Sequence, residues 1–240
     1  SPEQSSGKGF NTVALAQNAV PGTRRYTERV VYELANSIRE RDAVTYAHSR
    51  RVAIYANRLA RAMGWSRRAG RDLALAGLVH DLGKTWMLNA VLNKAGALSE
   101  DERTAMERHP RIAARILVAY SAPESLVEAV LHHHEAYDGH GYPDGLAGDA
   151  IPLGARVLAV ADVFDVLTSS RPYKAPMQTQ AARDRLLAGA DRSFDPRVVA
   201  AFVHLLDTQP DFQLTPRVVS LPPTSDEHGS AWVAHDTCDE

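Results

Sequence analysis

The stretch Asp72-Leu73-Ala74-Leu75-Ala76-Gly77-Leu78-Val79-His80-Asp81-Leu82-Gly83-Lys84 decides how the chain is read. It begins as an apolar run long enough for a buried helix, then places an imidazole, a carboxylate and, past a glycine, an ammonium at the helix end. Gly83 stands where a left-handed C-terminal glycine would stop a helix, so His80 and Asp81 are expected in the last turn. Burying such a pair unpartnered costs several kcal/mol. Taken alone, the bland reading is a hydrogen-bonded core pair, and a metal site is the sharper alternative.

Working outward, residues 1–22 are polar, rich in Ser and Gly, and end in Pro21-Gly22, which reads as a linker or arm. From Thr23 the period is helical: Val30, Val31, Leu34, Ala35 and Ile38 share one face. A second helix is expected from Val44 to Met63, stopped by Gly64, with His48 near its start. Ser66 is the N-cap for the helix that ends at His80. Thr85 to Leu98 reads as mostly irregular, and Ser99-Glu100-Asp101-Glu102 as a capping box. Pro110 opens the next helix, and Glu124 to His134 forms another. Ala136 to Asp149 holds four glycines and is expected to be a loop, mobile from Asp138 to Gly148. Pro152 opens an apolar helix interrupted by Arg156, Asp162 and Asp165. Two last helices are expected at Gln178–Ala190 and Pro196–Leu206, and residues 215–240 read as a disordered acidic tail. Nothing alternates with period two, so the fold class is all-α, a helical bundle.

The formal charge of −2 and pI near 6.5 exclude a bulk nucleic-acid binder. They leave room for a small anionic substrate held by local cations. The one cysteine, Cys238, allows no internal disulfide and fits a reducing compartment. No apolar run reaches a membrane span and no signal peptide opens the chain, so the expected location is cytoplasmic. Ser1 rather than Met comes first, which leaves room for a sensory or receiver domain upstream.

The polar residues that interrupt apolar helices carry the chemistry: His48, His80, Asp81, His109, His133, His134, Asp162 and Asp165. Imidazole with carboxylate, and no thiolate, suits first-row divalent ions, with iron, manganese, nickel and zinc as candidates. Neighbours such as His80-Asp81 and His133-His134 diverge by about 100° around a helix. One member can therefore serve each of two metals, with a carboxylate bridging. Paired metals about 3.5–4 Å apart are the usual clamp for in-line displacement at phosphorus. The cations Lys84, Arg171 and Lys174 suit phosphate or a guanine edge, although each alone reads as a solvated surface charge.

HDLGK (80–84), HHEAYDGHGYP (133–143), ADVFDVLTSSRPYK (161–174) and SFDP (193–196) together resemble the HD-GYP family of cyclic di-GMP phosphodiesterases, a branch of the metal-dependent HD phosphohydrolases. The resemblance covers about Arg41 to Phe202 and implies an HD-type bundle with additional C-terminal helices, set within residues 23–214. It implies one metal site from His48, His80, Asp81 and Asp162, and a second from Asp81, His109, His133 and His134, with Asp81 bridging. It implies that Lys84 contacts the scissile phosphate, beside His80 and Asp81 as the catalytic group. Tyr142 would lie near the substrate, Arg171 and Lys174 would grip it, and Asp42 would sit near a base. Asp165 is expected to orient a ligand or Lys84. His132 and His140 match no family ligand and are expected to be surface or loop histidines.

Two departures stand out. Family members with three metals carry Glu four residues before the first His, and here that position is Val44, which favours two ions, iron or manganese before nickel or zinc. Trp86 and Met87 replace the family's usual residues after Lys84 and are expected to fill core. The function implied is hydrolysis of cyclic di-GMP to linear pGpG, with slower cutting to GMP. The alternatives are a hydrolase of another cyclic or linear dinucleotide, or a slow-turnover receptor. An upstream domain, a diguanylate cyclase and a second copy of the chain are the protein partners this reading admits.

Overall fold

The structure is a computed structural model and describes residues 23–87, 94, 99–170 and 175–209. The expected arm and tail lie outside the described residues, as do Arg171 and Lys174. The architecture is all-α, and the described residues form no strand beyond two isolated bridges. Among the described residues nine α-helices follow in order: α1 Arg24–Arg41, α2 Ala43–Ala62, α3 Arg67–Val79, α4 Glu100–Met106, α5 His109–Ala119, α6 Glu124–Leu131, α7 Leu153–Thr168, α8 Thr179–Ala188 and α9 Pro196–Thr208. Short 3-10 turns cover Leu82–Trp86 and Gly148–Ala150.

Local signals set most of these boundaries. Ser66 Oγ accepts from Ala69 N at the start of α3, and Ser99 and Glu102 close a capping box at α4. Gly64, at φ +85, follows the end of α2. Asp42 separates α1 from α2 and caps the latter, accepting from Val44 N and Thr45 N.

The core is built on α2, α3 and α7. Helix α1 lays Val30, Val31, Leu34, Ala35 and Ile38 against it, all buried as their spacing predicts. Helix α3 is apolar around most of its surface and packs most extensively on α2, with α1, α6 and α7 also touching it. Helix α7 buries a face running from Ala155 to Leu167 against α2, α6, α8 and α9. Phe164 of α7 meets Tyr55 and Phe202 edge-on at 5.3 and 4.8 Å between ring centroids.

Three local expectations are corrected. Helix α3 ends at Val79, and His80 is its C-cap in right-handed geometry, while Gly83 lies inside the following 3-10 turn rather than in a left-handed stop. Gly83 is needed for a different reason: a Cβ there would fall 2.0 Å from the carbonyl oxygen of His109. Helix α6 ends at Leu131, so His133 and His134 follow it rather than belonging to it. Trp86 does not fill core, being 57% exposed.

The glycine-rich loop 136–149 is pinned rather than mobile. Asp138 N donates to Arg192 O and Tyr142 N to His134 O, while the buried Glu135 carboxylate accepts from Asp144 N and Leu146 N. Gly141 sits so close to the chain that a Cβ would meet Ala136 N at 2.1 Å. The turn carrying Arg192 precedes α9, whose buried N-cap Asp195 takes Arg156 Nη1 of α7 at 2.7 Å. The turn between α8 and α9 thus forms part of the shelf on which this loop rests.

The contact at Gly83 generates a prediction. A methyl group there must displace backbone, so Gly83→Ala should cost about 3 kcal/mol or more, measured by urea unfolding. A loss below about 1 kcal/mol would show that the 3-10 turn and α5 do not meet as described.

Candidate metal centre

Three imidazoles are aimed by one device. Nδ1 of His80 lies 2.8 Å from Gly77 O, Nδ1 of His109 2.7 Å from Met106 O, and Nδ1 of His133 2.7 Å from Val130 O. Each carbonyl belongs to the last turn of a helix (α3, α4 and α6), where it has no helical N–H to accept. A carbonyl only accepts, so Nδ1 carries the proton and Nε2 presents its lone pair. All three Nε2 atoms are buried and have no hydrogen-bond partner.

His48 is aimed by a carboxylate instead. Its Nδ1 lies 2.7 Å from Asp165 Oδ2, and Arg51 grips both Asp165 oxygens, Nε at 2.6 Å and Nη2 at 2.9 Å. His48 Nε2 then faces Asp162 Oδ1 at 3.1 Å. Asp165 therefore orients a candidate ligand, and not Lys84. Arg51 was not singled out from the sequence, although it follows His48 by three positions on one helix face.

Asp81 stands between two groups of donors. Its Oδ2 faces His80 Nε2 at 3.5 Å and His48 Nε2 at 3.9 Å, and its Oδ1 faces His109 Nε2 at 3.4 Å. His48, His80 and Asp162 form one set whose ligand atoms lie within 4.8 Å of one another, and Asp81, His109, His133 and His134 form another. Lys84 Nζ lies 2.7 Å from both Asp81 oxygens, in hydrogen-bond geometry to Oδ2.

The electrostatics keep His109, His133, His134 and both buried carboxylates in ligating form, whereas His48 holds a proton that an incoming ion must displace. Burial, reinforced by neighbouring positive groups, pushes His109 down to about 3 and His134 to about 4, and holds His133 well below the usual imidazole range. Burial alone would push Asp81 and Asp162 up. Lys84 and the imidazoles around Asp81, and the His48 hydrogen bond to Asp162, hold both carboxylates ionised. Burial also opposes a charge on His48, yet hydrogen bonds to Asp162 and Asp165 raise it to about 9.

A buried donor or acceptor without a partner costs about 1–3 kcal/mol. Three such nitrogens converging on an ionised, buried carboxylate are a donor set that a divalent first-row cation satisfies. The residues fit the metals that the sequence suggests.

Of the remaining predicted residues, Tyr142 is half-buried, its ring 4.9 Å from that of His134, and burial keeps its hydroxyl protonated. Asp42 is exposed and spends its carboxylate on capping α2. Val44 is 66% exposed. His140 lies on the loop surface, whereas His132 is largely buried, contrary to expectation. Sequence reasoning also passed over Glu135, whose place inside the HHE run was the available signal.

Residues 33–198 match the family model of the HD domain, a span that includes all seven candidate ligands. The chain belongs to the HD domain family. The HD-GYP resemblance stands with that membership. Over 206 residues this HD-domain chain is 41% identical to the cyclic di-GMP phosphodiesterase response regulator RpfG of Xanthomonas campestris, covering 84% of this chain and 54% of that protein. It is 36% identical over 184 residues to the 3′3′-cGAMP-specific phosphodiesterase 2 of Vibrio cholerae, covering 76% of this chain and 35% of that protein. The chain thus spans about half of the first relative and about a third of the second. Among solved structures, an HD-G-Y-P protein of Bdellovibrio bacteriovorus superposes with a TM-score of 0.57 at 16% identity, over 76% of this chain and 62% of that one, a likeness of fold. Among the described residues no helix is long and apolar enough to cross a membrane.

The Asp165 link yields a second prediction. Removing a group that orients a metal-binding imidazole typically costs 10–100-fold in metal affinity. Asp165→Ala should therefore weaken metal binding by about that factor with helix content unchanged, as read by metal titration and circular dichroism. Unchanged affinity would mean that His48 is aimed by packing alone.

Proposed function

We propose that this HD domain is a two-metal phosphodiesterase that opens cyclic di-GMP to linear pGpG, with slower cutting to GMP. The observation that carries this reading is Asp81, one oxygen turned to each of two donor sets in which His80, His109 and His133 keep buried Nε2 atoms without a hydrogen-bond partner. His48, His80, Asp81 and Asp162 would hold one ion, and Asp81, His109, His133 and His134 the other, with iron or manganese preferred over nickel or zinc. When bound, the ions supply Lewis acidity toward a phosphoryl oxygen and toward water for an in-line displacement.

The chain's own residues supply the rest. Lys84 places an ammonium beside Asp81, where it can hold a nonbridging phosphate oxygen and neutralise charge that develops in the transition state. Tyr142, kept protonated and packed on His134, offers a hydroxyl donor and a ring edge at the same mouth. Arg171 and Lys174 would grip the second phosphate or a guanine edge, and Asp42 would lie near a base if its capping role leaves it free. The expected domain runs over residues 23–214. Cytoplasmic location, an upstream sensory or receiver domain, a diguanylate cyclase partner and homodimerisation belong to this reading as proposals.

A second substrate has specific support. The names of the Vibrio cholerae relatives assign them 3′3′-cGAMP, so the hybrid dinucleotide is the principal rival to cyclic di-GMP. Steady-state turnover of both by the manganese- or iron-loaded protein decides between them. Turnover of neither would favour a receptor.

Asp81→Ala should remove about two ions per chain and nearly all hydrolysis while leaving helix content intact. Full metal occupancy and native turnover in that variant would refute the centre. Arg171→Ala should leave metal content constant. Losing one charge-assisted contact costs about 1.5–3 kcal/mol, which is a rise in KM of roughly one to two decades. An unchanged KM would return Arg171 to the solvated surface.

A further inference from the structure

His132, immediately before the two histidines of the centre, has a separate environment. It is the C-cap of α6, its side chain is 11% exposed, and its Nδ1 is fully buried with no hydrogen-bond partner. That nitrogen lies 3.5 Å from Glu135 Oε1 and 3.6 Å from Asp144 Oδ2. Both distances are too long for hydrogen bonds. They match the spacing of ligand atoms that each sit about 2.0–2.2 Å from a shared first-row ion. The three ligand atoms fall within 4.8 Å of one another.

The carboxylates are held in this arrangement by their other contacts. Glu135 accepts from Asp144 N at 2.7 Å and Leu146 N at 3.1 Å, which fixes it beneath the loop. Arg111 Nη2 binds Asp144 Oδ1 at 2.5 Å and leaves Oδ2 turned to His132. Each carboxylate oxygen has a lone pair beyond those used. Arg111 balances one of the two carboxylates, so the cluster keeps negative charge for a cation. Asp144, 35% exposed, gives that cation a way in.

We propose that His132, Glu135 and Asp144 bind a divalent first-row cation, separate from the Asp81 centre, that ties the end of α6 to the loop carrying Tyr142. One nitrogen and two oxygens with open positions for water suit manganese or zinc. None of the three residues belongs to either donor set of the centre, so the site does not depend on the hydrolase reading.

The full chain carrying Asp81→Ala, stripped of metal and then equilibrated with Mn2+, isolates the site. It should retain about one ion per chain and gain thermal stability when Mn2+ is added. Adding Asp144→Asn, which keeps the side chain's shape and its backbone N–H, should abolish both the ion and the thermal shift. Adding His132→Gln instead should do the same, with helix content unchanged by circular dichroism. The proposal is overturned if Asp81→Ala binds no ion, or if Asp144→Asn and His132→Gln both leave the ion in place. Either result would make the cluster an ionic or hydrated bridge. Turnover of cyclic dinucleotides by the wild-type chain is a separate measurement, so failure here leaves the hydrolase reading standing.

Discussion

The tether from a histidine Nδ1–H to a helix-end carbonyl is the interaction on which the rest of the centre depends. Used at Gly77, Met106 and Val130, it settles two matters at once. It satisfies a carbonyl that the helix leaves open, and it chooses the tautomer that turns Nε2 inward. Three helices must therefore end within a few ångströms of one point. That demand reaches into the backbone: the turn after His80 touches the first residue of α5 so closely that only glycine fits at position 83. Polar convergence of this kind lowers stability, and the apolar faces of α2, α3 and α7 around it offset the cost.

His48 is aimed differently because it lies inside α2, where carbonyls are already used. A carboxylate from α7 takes their place, and Arg51 in turn holds that carboxylate. The pairing of α2 with α7 is thus both a hydrophobic contact and the means by which one donor set is assembled.

The legible part of the fold was the part written locally. The face Val30 to Ile38, the caps at Ser66 and Ser99, and Pro110 at the head of α5 depend on neighbours a few positions away, and spacing alone places them. Candidate ligands were legible for a related reason: a charged or imidazole side chain interrupting an apolar helix needs a partner. What escaped depends on distant chain. Gly83 reads as a helix stop until His109 O is brought against it, and the glycines after Ala136 read as freedom until Arg192 and Glu135 are seen to hold the loop. His132 reads as a surface residue until Asp144, twelve positions on, is brought against it. Trp86 shows the reverse error, since an indole expected to be core lies half in water.

The shelf beneath the glycine loop bears on how the domain divides. Every candidate metal ligand lies before Ser169, yet the carbonyls that receive the amides of Tyr137 and Asp138 belong to Ser193 and Arg192. The metal-holding core and part of the support for the surface that presents Tyr142 are therefore separable in chain length. A lineage that kept the first and rebuilt the described residues after Ser169 would retain its ions while altering the face shown to its substrate. In this protein that face is set jointly by His134 and Glu135 and by a later turn that contributes no ligand.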